Sequence, residues 1–425
     1  MSPIRPTVTV VGHRMDDESH RLRDFLTRVA QPYEWHEAGT AQATEILERH
    51  GATEDDLPLL VDGADAMLGA RVEAVADAWG ESRAPPQTDY DLVIVGAGPA
   101  GLAAAVYAAS DGLQTIVLEG DVPGGQASHT SRIENFFGFP GGIGGAELAR
   151  LAGRQAEGFG AHLSLLRPVV GSDRTADGQF EIRLAGDLTV RAPIVIAATG
   201  MIWRRLAAPG FEELLGRGAY YGAGRSEAAQ CTGDPVVVVG AGNSAGQAVM
   251  DLANSNARVT MAVRGDDLGR SMSQYLVDRI ARHPNVEVRL RTEVAEVLAN
   301  DAGELDGVLL RPRRGGGGAT ERVPARALFA CIGGTPRTGW ADAGGVAHDR
   351  AGYILTGPDL LDHGKRPEGW PLDRDPLALE TSVPGLFAAG DARHGSTKRV
   401  AGAVGDGAMA TALAHRRLAE LRGGV

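Results

Sequence analysis

The chain has 425 residues, enough for two or three domains. Its 43% apolar and 23% charged residues exclude a wholly disordered chain, and its 59 glycines follow no Gly-X-Y period, which excludes collagen. A net charge of −12 argues against phosphate-backbone binding, so no nucleic-acid partner is expected. The two cysteines, Cys231 and Cys331, form no disulfide framework, and no CxxC occurs. The N-terminus carries no signal-peptide pattern, and apolar runs such as Leu92–Val95 and Pro235–Val239 are far shorter than the ~20 residues of a membrane helix. A cytoplasmic chain without membrane contact and without a metal site is expected.

Residues 7–11 are β-branched and predict a strand. Leu22, Phe25, Leu26 and Val29 recur at i, i+3, i+4 and i+7, one face of a helix. A strand over 33–37 and a helix over 41–50 follow. The next strand, 59–61, is entered through Leu57-Pro58 and closed by Asp62-Gly63, and a last helix covers 72–79. This order resembles the thioredoxin or glutaredoxin fold. The resemblance implies a redox CxxC after the first strand and a cis-proline before a later one. Pro58 fits the second feature, but the loop from Gly12 to Asp17 holds no Cys. Residues 1–80 are therefore expected to keep that fold as a docking or packing module, with His13 a minor catalytic candidate. Residues 81–88, with Pro85-Pro86, predict a semi-rigid linker.

From Asp91 the pattern becomes strand, glycine loop, helix. Leu92–Val95 runs into Gly96, Gly98, Pro99, Ala100 and Gly101, a G-x-G-x-x-G in register with the apolar helix that follows. The glycines permit a tight turn, close approach to a pyrophosphate and close helix–strand packing, and the helix N-terminus faces the anion. Thr115–Leu118 predicts the next strand, and Glu119 at its end can accept hydrogen bonds from a ribose diol. A second copy follows Pro235–Val239: Gly240, Gly242, Asn243, Ser244 and Ala245. Here the acid position is Val263, and Arg264 follows it. A missing carboxylate beside an arginine favours a 2′-phosphate, hence NADPH, with Arg270 a second phosphate candidate. Asp266 and Asp267 lie close to both. Two such sites in one chain point to hydride transfer from a nicotinamide to a flavin. Two further stretches stand out: residues 315–318 predict a flexible hairpin tip, and 352–380 a long irregular loop.

The motifs VGAGPAG (95–101), PGGQ (123–126), IENFFGFPG (133–141), AATG (197–200), VGAGNSAG (239–246) and GLFAAGDARHGSTKRVAGAV (385–404) make residues 91–421 resemble a low-molecular-weight thioredoxin reductase. The resemblance implies an α/β fold with two Rossmann-like domains and a homodimer. A discontinuous FAD domain would cover 89–202 and 334–425, with an NADPH domain, 203–333, inserted in it. Both would follow the thioredoxin-like unit. The resemblance also implies flavin contacts for Gly125, Gln126, Asn135, Thr199, Gly200, Gly390 and Asp391. It brings Lys398, Arg399, Val400 and Ala401, at a helix start, near the pyrimidine end of the flavin, where a cation or helix N-terminus stabilises the reduced ring.

One departure governs the function. The positions of the family's dithiol hold Ala223 and Ser226, followed by Glu227. Glu227 is read either as a surface carboxylate or as a proton-transfer group. Cys231 and Cys331 are expected to be inert buried thiols. The expectation is an FAD enzyme that takes hydride from NADPH and passes electrons to an unidentified small molecule or redox protein, with the two domains in a fixed arrangement or a different acceptor at the flavin. A ferredoxin/flavodoxin–NADP reductase-like enzyme and a non-turning-over flavin sensor or adaptor are the alternatives.

Overall fold

The computed structural model describes residues 5–222, 225–313 and 319–423. The glycine run 315–318 lies outside the described residues.

The N-terminal sheet has strands Val8–Gly12, Tyr33–Glu37, Leu59–Asp62 and Asp65–Met67, with the first strand between the second and third. The first two strands are parallel and the other pairings antiparallel. Helices Asp17–Arg28, Ala41–Arg49 and Val72–Ala78 complete it. Asp16 starts the first helix by accepting the Ser19 amide at 2.8 Å, and Thr40 caps the second. Leu22, Phe25 and Leu26 are buried with Val8, Val10 and Leu60, as the spacing predicts. Each such side chain contributes about 1.5–3 kcal/mol. The Leu57-Pro58 peptide is cis. Linker residue Arg83 is pinned: it pairs with Glu157 at 2.8 Å, and its carbonyl accepts from Ser164 Oγ at 2.8 Å.

The rest of the chain builds one architecture twice. A five-stranded parallel sheet takes Leu386–Ala388, Ile194–Ala197, Leu92–Val95, Thr115–Leu118 and His162–Ser164 in that order. Beside it lies an antiparallel sheet of Val169–Arg174, Phe180–Leu184 and Leu188–Ala192. The second parallel sheet takes Ala219–Tyr221, Ala327–Ala330, Pro235–Val239, Arg258–Val263 and Val286–Leu290. Its antiparallel companion is Thr292–Ala299, Leu305–Pro312 and Glu321–Pro324. The chain leaves the first unit through Met201–Trp203 and returns through Gly334–Pro336, which pair antiparallel. The central strands are buried on both faces, which explains their continuous apolar runs.

The C-terminal helix Val400–Leu421 packs on helix Pro99–Ser110 so closely that a Cβ on Gly407 would lie 2.1 Å from the Ala100 carbonyl oxygen. Residues 352–380 are irregular apart from the short turn Gly357–Leu360. Arg374 ties this segment to the core, 2.6 Å from the buried Glu380 and 2.7 Å from Glu420 of the C-terminal helix.

Candidate functional site: two dinucleotide loops on adjoining cavities

The first Gly-rich loop opens into a cavity of about 470 Å3. Gly96, Gly98, Pro99 and Ala100 border it, together with Glu119, Gly125, Gln126, Thr199, Gly200, Gly390 and Asp391. Gly101 lies beneath the loop as packing: a Cβ there would come 1.8 Å from the Gly96 carbonyl oxygen. Glu119 accepts the Ala97 amide at 2.7 Å and the Asp121 amide at 3.1 Å. Burial pushes the Glu119 carboxyl up, only partly offset by the Ala97 amide. Gln126 donates to the Met201 carbonyl at 3.0 Å, and Asp391 accepts from Ser396 Oγ at 2.9 Å. Thr199 Oγ1 is buried without a hydrogen-bond partner in the protein, a polar group left for a ligand. A glycine cradle, a half-buried acid at the strand end and an orphaned hydroxyl together fit a dinucleotide.

The second loop borders an adjoining cavity of about 560 Å3, lined by Gly240, Gly242, Asn243, Ser244 and Arg264. Asn243 is tied to Ser273 by two hydrogen bonds of 2.7 and 3.0 Å, which orient the helix start. Ala245 packs in the core below. Val263 is fully buried and offers no acceptor. Asp266 stands 3.8 Å from Arg270, and Asp267 accepts the Gly269 amide, so both neighbouring acids are engaged within their own loop.

The two cavities share Thr130, Ser244, Cys331, Gly333, Lys398, Arg399 and Val400. The helix expected to start near 398–401 begins at Val400, with Arg399 at its cap position, so its free amides face this junction. Lys398 has φ +52°, and its Nζ lies 4.1 Å from the centre of the Tyr353 ring.

Several expected residues stand elsewhere. Asn135 borders the second cavity rather than the first. Ala401 is exposed on the first helical turn, Arg270 is 78% exposed, and neither borders either cavity. Glu227 is not a surface carboxylate: it is 5% exposed and pairs with His20 of the N-terminal unit at 3.1 Å. It borders neither of the two cavities. Ser226 lies in helix Arg225–Gln230, while Ala223 lies outside the described residues. His13 borders a separate charged cavity with Arg14 and Arg217. Both thiols are buried, and burial pushes each up to about 12, although Cys331 also borders both cavities.

Sequence reasoning missed Arg28, His129, Trp203 and Arg337 on the first cavity. Arg28 comes from the N-terminal unit. The available signal was a polar stripe, His20, Asp24 and Arg28, four residues apart on a helix whose apolar face was already read.

Residues 90–407 match the profile of the family described as pyridine nucleotide-disulphide oxidoreductase. The chain belongs to this family. The match begins where the N-terminal unit and linker end. The NADPH-dependent thioredoxin reductase 3 of Arabidopsis thaliana is 35% identical over 362 residues, covering 83% of this chain. The chain spans only 62% of that relative's length. The thioredoxin reductase of Treponema pallidum is 34% identical over 76% of this chain and 95% of its own. The crystal structure of T. acidophilum thioredoxin reductase superposes with a TM-score of 0.68 at 29% identity, covering 78% of this chain and all of its own. This family member is an oxidoreductase, and its homologues work with FAD and NADPH, in agreement with the two sites. Among the described residues no helix is long and apolar enough to cross a membrane.

Proposed function

We propose that this chain oxidises NADPH at the second loop and transfers the hydride to FAD held in the first cavity, then passes electrons to an acceptor without an internal dithiol. The observation that carries this reading is the junction of Ser244, Gly333 and residues 398–400, which borders both cavities and would bring the reacting end of a nucleotide in the second beside a flavin in the first. FAD supplies two-electron chemistry when bound. The residues at 96–101, Glu119, Gln126, Thr199 and Asp391 would hold it, and the start of the C-terminal helix with Lys398 would favour negative charge on the reduced ring. Arg264 would take the 2′-phosphate. The remaining loop residues, Gly240, Gly242, Asn243 and Ser244, would cradle the nicotinamide nucleotide's pyrophosphate.

The cysteine count supports the absence of a dithiol relay: the two thiols lie 100 residues apart in the sequence, and neither belongs to a CxxC. The N-terminal topology, a parallel βαβ followed by an antiparallel hairpin and helix, supports a thioredoxin-like unit over residues 1–80. The crossing pair at 201–203 and 334–336 supports domain boundaries near 202 and 333. An apolar cavity of about 450 Å3 with Tyr107, Phe136 and Phe159 on its rim supports a homodimer through the FAD domain. A cytoplasmic location goes with the reduced thiols.

The test is anaerobic addition of NADPH to the FAD-loaded chain and to its Cys231→Ser, Cys331→Ser double variant, following flavin absorbance. Stoichiometric bleaching in both is expected. Bleaching that needs the cysteines would return the function to thiol chemistry. Persistent yellow colour with NADPH and NADH alike would instead favour a flavin sensor or adaptor.

A further inference from the structure

His20, Asp24 and Arg28 stand four residues apart on helix Asp17–Arg28 and share one of its faces. The core of the N-terminal unit uses Leu22, Phe25 and Leu26 instead. All three polar residues find partners outside their unit. Arg28 pairs with Asp121 at 2.8 Å and donates from Nε to Ser128 Oγ at 3.1 Å, and its side chain borders the first cavity. Asp24 lies 3.5 Å from His129 Nδ1. His129 borders the same cavity and stands edge-on to Trp203, with ring centres 5.8 Å apart. Ser128 in turn donates to the Gly125 carbonyl at 2.7 Å. Val122, from the same loop, is buried in the core of the N-terminal unit.

The 121–130 loop carries Gly125 and Gln126, and the N-terminal helix therefore grips it at both ends. The Arg28, Asp24 and His129 side chains are mostly enclosed, at 10%, 23% and 19% exposed, whereas Asp121 at the outer end is half exposed. Despite burial, His129 and Arg28 hold the Asp24 carboxyl well below its usual range, so it stays ionised. Removing one member of such a group leaves a buried charge unpaired and releases the loop.

We propose that the N-terminal unit is a working part of the flavin site, in which Arg28 and Asp24 position the 121–130 loop and the His129–Trp203 wall against the bound dinucleotide. This rests on the reading of the first cavity as an FAD site. It assigns a use to a unit without thiols: it supplies a wall of the pocket. The T. acidophilum enzyme, matched along its whole length by 78% of this chain, has no counterpart to the remainder.

The test uses the full chain with Arg28→Ala, Arg28→Lys and Asp24→Asn. Arg21→Ala serves as a control, since Arg21 is on the same helix but pairs with Glu18 and Glu73 at the surface. FAD affinity is read by fluorescence on reconstitution, and the ring environment by visible circular dichroism of the bound flavin. Melting of the FAD-free protein reports folding separately. Arg28→Ala is expected to weaken FAD about tenfold or more and to change the flavin dichroism. Asp24→Asn should do so less strongly, Arg28→Lys should recover part of the loss, and Arg21→Ala should leave both readouts at parental values. Parental affinity and spectrum in Arg28→Ala and Asp24→Asn, or an equal loss in Arg21→Ala, overturns the proposal. A parent that takes up no FAD overturns the underlying reading itself, a separate result.

Discussion

In the first dinucleotide unit the strand after the Gly-rich helix is followed by the half-buried acid Glu119; in the second, the corresponding strand ends at Val263, with Arg264 beside the cavity. The sheets, the antiparallel companions and the loop-to-helix turns are otherwise alike. The enclosures differ too. The first loop is bordered by Arg28, the 121–130 loop, residues 199–203 and the C-terminal segment. The second shares its junction with the first but keeps the exposed Arg264 on its rim. One backbone solution thus carries two different linings, an acid at the end of one strand and an arginine at the end of the other.

This contrast can be broken most severely at the third small residue of each fingerprint. Gly101→Ala forces a Cβ to 1.8 Å from the Gly96 oxygen, while the second unit already carries Ala245 there. We expect Gly101→Ala to yield protein without bound flavin, read from its absorbance spectrum, and Ala245→Gly to retain it. Next in size is Glu119→Gln. Losing a charged acceptor for ribose hydroxyls costs about 1.5–3 kcal/mol, so FAD should bind about ten- to a hundredfold more weakly in equilibrium dialysis.

A smaller effect tests the second unit. Arg264→Ala should raise the KM for NADPH about tenfold and leave that for NADH near its parental value. Equal losses with both nucleotides would remove the 2′-phosphate assignment. The smallest effect concerns the contact between the N-terminal unit and the second dinucleotide unit. Burial opposes charge on His20, but Glu227 and Asp24 outweigh it and raise its pKa above 6.5. A raised folded pKa means the stabilisation is fully present below the unfolded value and is lost as pH climbs through the folded one. The melting temperature should therefore decline by about 2 °C or less over that rise, and Glu227→Gln should flatten the slope. Calorimetry across pH 6–9 checks the sign.

The elements of the fold were legible because their causes are local. Residues 33–37 and Thr115–Leu118 were read to the residue, and the helices read over 41–50 and 72–79 each end one residue earlier, at Arg49 and Ala78. Gly96–Gly101, numbered 96–101, Glu119 and Gly240–Ser244, numbered 240–244, were legible for the same reason: a strand, a tight turn and a helix start lie within a short stretch of chain. Glu227 was misplaced because its burial depends on a helix that is distant in sequence. Arg28 was missed because an exposed-looking arginine on an amphipathic helix gives no local sign of its partner, Ser128, 100 residues away.

Two Gly-rich strand–loop–helix fingerprints, the acid after one and the arginine after the other, and the absence of a CxxC can be read directly from the residues. Short-range sterics and strand–helix periodicity suffice for these features. That both loops open onto one junction, and that Glu227 is buried beside the N-terminal helix, follows from how the units pack together. The same packing also brings that helix to the edge of the first cavity. The reason is physical: these contacts follow from how preformed units dock. Ion pairs such as Arg14–Asp234, 220 residues apart, form only when that docking brings complementary charges within reach and shields them from water.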